Sequence, residues 1–321
     1  MRSLFLYSIA VAIFSILINI FLYIFIHQKH LKNFFESPLP HFLTLSSNSQ
    51  VKLLDFWLPI IEKTEGSENG VPNFTAKSVL IYDLKTNKTL FEHKAFERMP
   101  MASLTKIMTA IVALENKKSD DRYLVHKYDL VGEDSMGLEE GEILGLEELL
   151  YGLMLPSGND AAEVIASNYK DGRTAFISAM NNKAKALGLE NTVFSNPSGL
   201  QGDGVQHTTA YDLLVMTKYM LDNFPIMRKI VATYEYVIPK TATHKEYHLF
   251  NETNLLTSYP GVKGVKTGFT PEAGMCLITY LEYKDHKIIG ILLNSKNRRE
   301  EMKNFLDYSL KRLGITPPIH Q

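Results

Sequence analysis

The spacing of apolar and polar positions changes period along the chain, and each change marks an element. Leu4 to Ile26 is an almost unbroken apolar run of 23 residues, interrupted mainly by Ser8, Ser15 and Asn19. About 20 apolar residues suffice for a helix to cross a bilayer. A cleaved signal sequence has a shorter apolar core and a small-residue cut site. This run ends in Phe25-Ile26-His27-Gln28-Lys29, with no small residues to cut at. The pattern predicts an uncleaved transmembrane helix within residues 1–28. Residues 29–72 read as a membrane-proximal spacer, with Pro38, Pro40, a polar LSSNSQ stretch and a Gly/Ser/Asn-rich piece around Gly66 to Gly70. Within it, VKLLDFWLPIIEK reads either as a short amphipathic helix or as a packed linker helix.

Period two takes over near Ala76. SVLIYDL and TLFEHKAF, separated by Lys85-Thr86-Asn87-Lys88, predict a β-hairpin. Helical spacing dominates from Ser103 to about Ala232, in stretches starting after Gly145, Asn159, Thr209 and Pro225, with Gly188 as a helix stop. Strand patterns return in YEYVIPK, EYHLF, VKGVKTG, MCLITYLEY and KIIGILLNS, and a helix from about Arg299 to Leu313 follows. Strands at both ends with helices between them predict an α+β class: an antiparallel sheet built from both chain ends, plus a helical cluster. The expected catalytic domain spans residues 73–315, with a short tail at 316–321.

Composition narrows this picture only slightly. Lys plus Arg is 34 and Asp plus Glu is 35, so no nucleic-acid partner is implied. Cys276 is the only cysteine, so no internal disulfide can form, and its apolar strand context reads as core.

The chemistry lies in short motifs. Ser-x-x-Lys places a hydroxyl and an amine on one face of a helix, a workable layout for a nucleophile and its base. Three pairs match: Ser49/Lys52, Ser103/Lys106 and Ser167/Lys170. Ser-x-Asn matches include Ser157/Asn159, and in the spacer Ser46/Asn48 and Ser67/Asn69. Lys-Thr-Gly occurs once, at Lys266-Thr267-Gly268. Ser103/Lys106, Ser157/Asn159 and Lys266-Thr267-Gly268 make the ordered series that lies in the folded domain at domain-scale separations. Taken alone, Pro-Ser-Gly-Asn-Asp reads as a helix-capping turn.

That trio resembles the signature of penicillin-binding proteins and serine β-lactamases. The stretches around it, ASLTKIMTA, GEILGLEELLYGLMLPSGNDAAEVIA, ALGLENTVFSNPSGL, TTAYDLL and GVKGVKTGFTPEAG, are similar to low-molecular-mass penicillin-binding proteins of serine peptidase family S11, the D-alanyl-D-alanine carboxypeptidases. The resemblance implies a transpeptidase fold. It also implies hydrolysis of the terminal D-Ala from peptidoglycan pentapeptide stems, with β-lactam antibiotics as covalent inhibitors. Ser103 is then the expected nucleophile and Lys106 its base. Ser157 is the expected proton relay, and Asn159 bonds Lys106 and the substrate amide. Lys266 and Thr267 are expected to read the substrate carboxylate, and Gly268 to let the substrate backbone lie close. The backbone N–H groups of Ser103 and Phe269 form the implied oxyanion hole. Arg299 matches the family's carboxylate-assisting arginine, with Arg298 beside it as an equal candidate. No metal or other cofactor is expected, and His207 reads as structural.

A β-lactamase of class A needs a deacylating glutamate in a Glu-x-x-Leu-Asn context. Glu163, Glu190, Glu235, Glu246 and Glu252 all lack it. An endopeptidase uses the same motifs and stays open, as does a penicillin-binding sensor ectodomain. The balanced charge around Leu4–Ile26 leaves orientation open. The resemblance implies a single-pass cytoplasmic-membrane protein with its catalytic domain outside.

Overall fold

Strands β1 (Ser78–Asp83) and β2 (Lys88–His93) form the expected hairpin. The computed structural model describes residues 57–62, 70–253 and 255–320. The apolar run Leu4–Ile26, the 1–28 segment and most of the 29–72 spacer lie outside the described residues. Among the described residues, no helix is long and apolar enough to cross a membrane.

The hairpin joins three later strands, β7 (Val262–Thr270), β8 (Gly274–Tyr283) and β9 (His286–Ser295). Their antiparallel order is β2-β1-β9-β8-β7, so sequence-distant strands meet at β1/β9 and β7 forms one edge. Lys284 and Asp285 link β8 to β9 with φ of 44° and 65°, the twist that a two-residue hairpin turn requires. Strands β5 (Glu235–Ile238) and β6 (Tyr247–Phe250) pair only with each other, and the two-residue strands β3 (Tyr123–Leu124) and β4 (Ile143–Leu144) do the same.

The central strands read as near-continuous apolar runs because both faces of the sheet are covered. In β9, Ile289, Ile291 and Leu293 enter the core shared with the helical cluster. Ile288 and Leu292, of opposite parity, meet Phe305, Leu306 and Leu310 of the C-terminal helix α8 (Arg298–Arg312). The helical cluster comprises α1 (Lys106–Glu115), α2 (Leu146–Met154), α3 (Asn159–Ser167), α4 (Gly172–Ala186), α5 (Ala210–Asn223) and α6 (Pro225–Val231). A single turn, α7 (Leu255–Ser258), precedes β7. Thr209 caps α5 by accepting from the Asp212 N–H at 3.0 Å, and Pro225 opens α6.

Two segments expected to lie outside the domain pack against it. Trp57 meets Tyr82 edge-on at 5.5 Å between ring centres, with the Lys218 amine 4.8 Å over its ring. In the tail, His320 stacks on Tyr259 at 4.6 Å and approaches Asp307 at 3.1 Å.

Candidate active site

Where the helical cluster meets the edge of the sheet, all three motifs converge. Ser103 sits in a 3₁₀ turn, Ala102–Thr105, that leads into α1. Ala102, just before it, has φ of 48°, a left-handed conformation that costs a non-glycine residue energy. The turn is held from two sides. A Cβ at Gly199 (φ 91°) would lie 2.0 Å from Ala102 O, so only glycine lets that loop close on the serine turn. A Cβ at Gly268 would meet Met101 O, Ala102 Cβ and Ser103 N at 3.2 Å each. Gly268, expected to give room to substrate, also seats β7 against the serine turn.

Lys106 lies one helical turn beyond Ser103 and is fully buried. Its Nζ is 2.9 Å from Ser103 Oγ, 2.6 Å from Asn159 Oδ1 and 2.8 Å from Ser198 O. Two of these neighbours are carbonyl oxygens that only accept. The third, a hydroxyl, can also donate. A neutral amine, with two N–H bonds and one lone pair, therefore satisfies all three with its lone pair on the serine. Burial, and then the nearby Lys266 cation, hold this amine well below a lysine's ordinary value.

Asn159 opens α3 and is fixed by the loop ahead of it. Its N–H donates to Asp134 O at 2.7 Å and its Nδ2 to Glu133 O at 3.3 Å, which turns Oδ1 toward Lys106. Ser157 is buried, with φ of 62°. Sequence reading missed the anchor of this loop. Buried Asp160 accepts from the N–H groups of Met136 (3.0 Å), Gly137 (3.1 Å), Leu138 (3.0 Å) and Ala161 (2.8 Å), and from Ser135 Oγ. It also missed the Ser198 carbonyl, presented by a turn in which Asn196 Oδ1 accepts from the Gly199 N–H at 2.7 Å. The turn-rich stretch SNPSGL was the available signal.

On the sheet side, Lys266 is 1% exposed and donates only to Thr267 O, at 3.2 Å, among the described residues. Burial lowers its pKa to about 8. Glu252 opposes that shift, Arg298 adds to it and Asp134 opposes it. Thr267 Oγ1 donates to Glu252 Oε2 at 3.1 Å, a partner that sequence reading did not assign. Phe269, the next residue but one, is 59% exposed beside the site.

The two arginines separate cleanly. Arg298 reaches under the sheet edge, donating to Gly268 O at 2.8 Å and to Cys276 O at 3.3 Å. Arg299, the residue singled out from sequence, faces Glu300 at 3.8 Å instead. Successive positions at a helix start point about 100° apart, so only one of them can address β7. A trans peptide sets its C=O and N–H in opposite directions. Holding Gly268 O therefore aims the Phe269 N–H away from β8, toward the free edge of β7.

The i,i+4 pair His244 and His248 does not converge: His244 is buried facing Glu148, and His248 is exposed beside Glu246. No group of three metal-ligating side chains occurs among the described residues. The arrangement is suited to moving a proton between a hydroxyl and a buried amine, next to the Lys266 cation and the Thr267 hydroxyl, which can receive an anion.

Comparison with known proteins agrees with this chemistry. Residues 65–297 match the family described as D-alanyl-D-alanine carboxypeptidase. The chain is 33% identical over 276 residues to the D-alanyl-D-alanine carboxypeptidase DacF of Bacillus subtilis, covering 83% of this chain and 70% of that one. It is 30% identical to DacC of Escherichia coli, of which it spans 64%. Among solved structures, a Streptomyces DD-transpeptidase superposes with a TM-score of 0.69 at 30% identity, over 75% of this chain and 98% of that one. A Listeria monocytogenes penicillin-binding protein in its ampicillin-bound form superposes at 0.64 with 29% identity, over 74% of this chain and 99% of that one.

Proposed function

The chain belongs to the D-alanyl-D-alanine carboxypeptidase family, peptidase S11, and from that premise we propose how its site works. The protein is a serine-type D-Ala-D-Ala carboxypeptidase that acts on peptidoglycan stem peptides and binds β-lactams. The observation that carries the mechanism is the buried Lys106 amine, 2.9 Å from Ser103 Oγ and saturated by two carbonyl acceptors.

Lys106 takes the Ser103 proton as Oγ attacks the carbonyl carbon of the penultimate D-Ala. The oxyanion is received by the N–H groups of Ser103 and Phe269, the latter oriented by Arg298 through Gly268 O. As the C–N bond breaks, the proton passes from Lys106, through Ser157, to the leaving D-Ala amine. Water then attacks the Ser103 ester, giving its proton back through Lys106 and releasing the shortened stem. Lys266 and Thr267 receive the terminal carboxylate. Asn159 holds Lys106 and the substrate amide. The free edge of β7 offers backbone groups along which an extended peptide can lie.

Leu4–Ile26 anchors the protein in the cytoplasmic membrane, and the catalytic domain stands outside, where the wall peptide is. The length of the apolar run and the location of the substrate support this placement. Release of D-Ala from diacetyl-Lys-D-Ala-D-Ala, with penicillin adding its own mass to Ser103, tests the mechanism. Turnover confined to crosslinked dimers identifies an endopeptidase, and rapid nitrocefin hydrolysis a β-lactamase. The absence of both an adduct and D-Ala release refutes the nucleophile assignment.

A further inference from the structure

Glu252 is the carboxylate that sits where this site is expected to receive a carboxylate. Its Oε2 accepts the Thr267 hydroxyl at 3.1 Å. Thr267 is 4% exposed and has a single O–H to donate. A substrate carboxylate that takes this donor has to displace Glu252. The backbone at this position is fixed: the Glu252 N–H donates to Leu155 O at 3.1 Å, directly before Pro156 and Ser157. Its neighbour Asn251 donates to Val231 O at 3.3 Å and Thr233 O at 3.0 Å, and accepts from the Thr253 N–H at 2.8 Å. The Glu252 side chain itself is exposed. Rotation of one solvent-facing side chain, over a hydrogen-bonded backbone, clears the hydroxyl.

We propose that Glu252 is a specificity-determining residue whose carboxylate occupies the carboxylate subsite in the free enzyme and competes with the anionic end of substrate and of β-lactams for Thr267. This rests on the carboxypeptidase reading for the assignment of that subsite. The charges facing it are Lys106 from α1, Lys266 from β7, Arg298 from α8 and Asp134 from the loop before α3. Glu252 thus has two effects of opposite sign. It excludes an incoming anion from Thr267, and it helps Lys266 keep the proton that attracts the same anion.

The two effects separate with pH. At pH 6, Lys266 is protonated in the native protein, because pH 6 lies well below about 8, and removing Glu252 moves that titration downward. Glu252→Gln and Glu252→Ala are then expected to lower KM for a D-Ala-D-Ala peptide by about two- to fivefold, the size of one lost like-charge contact at an exposed site. Above neutrality the variants lose the support that Glu252 gives Lys266. Their KM rises at lower pH than in the native enzyme, and the two curves cross. Acylation by a penicillin should show the same gain at pH 6, whereas its methyl ester, with no carboxylate to place, should react with all three proteins alike. Equal changes for acid and ester overturn the proposal in favour of a packing role. Build-up of acyl-enzyme in Glu252→Gln, at unchanged acylation rate, overturns it in favour of a role in deacylation. If the native protein acylates but releases no D-Ala, the carboxypeptidase reading fails, and the acid–ester comparison still decides the role of Glu252.

Discussion

Two buried lysines flank the serine, and they are held in opposite ways. Lys106, on the helical side, has three partners within 2.9 Å and is fully committed inside the protein. Lys266, on the sheet side, is buried almost as deeply, yet donates to one backbone carbonyl at 3.2 Å. Desolvation lowers both amines. The difference lies in what each leaves unused. Lys106 is completed by internal acceptors that suit its neutral form, so its lone pair is directed at one hydroxyl. Lys266 keeps donor capacity and charge for something that arrives from solution. Burial therefore tunes both lysines, and the partner count assigns base chemistry to one and anion binding to the other.

The largest effect that could break this contrast is at Lys106. Lys106→Met should lower acylation by penicillin about 10³-fold, the scale of a lost general base. Lys106→Arg should not restore it, because a guanidinium stays charged. In the native enzyme the rate should climb with pH as Lys106 deprotonates, then fall near pH 8 as Lys266 loses its proton. An acylation profile flat from pH 5 to 10 contradicts both assignments.

At Lys266 the loss should be smaller and of another kind. Lys266→Met is expected to raise KM about 10- to 100-fold, as for a charged hydrogen bond. The penalty should vanish for a substrate whose terminal carboxylate is esterified. A drop confined to kcat would place Lys266 with Lys106 instead.

Asp160 tests how the helical side stays rigid. Asp160→Asn puts an amide where five N–H or O–H groups donate, which should cost about 2 kcal/mol in denaturant unfolding. Activity should fall with it, through the loop that orients Asn159. Unchanged stability would mean that the loop holds itself.

The mildest test separates the two arginines. Arg298→Leu should reduce acylation about tenfold by freeing the Gly268–Phe269 peptide, less than the roughly 10²- to 10³-fold cost of a deleted oxyanion donor because the N–H is kept and only loosened. Arg299→Leu should leave the rate within about twofold, as expected for a surface change. The reverse order restores the arginine preferred from sequence.

Much of the fold was legible because its signals are local. The hairpin at Ser78–His93, the helix starts after Gly145, Thr209 and Pro225, and the β8–β9 turn each follow from periodicity and turn chemistry within about ten residues. The separation of β5 and β6 from the main sheet was not legible, since pairing partners are chosen by the available core and not by strand propensity. Asp160 and the Ser198 carbonyl escaped notice for a related reason. One is a side chain four of whose five partners lie 22 to 25 residues earlier, and the other is a backbone atom that any residue could supply.

By itself, the sequence determined the chemical inventory and its order: a serine with a lysine three positions on, Ser-Gly-Asn, and Lys-Thr-Gly on a strand. Only the tertiary structure decided what each group is free to do. It closed Gly199 and Gly268 around the serine turn, turned Arg298 rather than Arg299 onto the Gly268 carbonyl, and set Glu252 on the Thr267 hydroxyl. Residue identity fixes which bonds a side chain can make. Which of those bonds are already taken depends on neighbours that only folding brings within 3 Å.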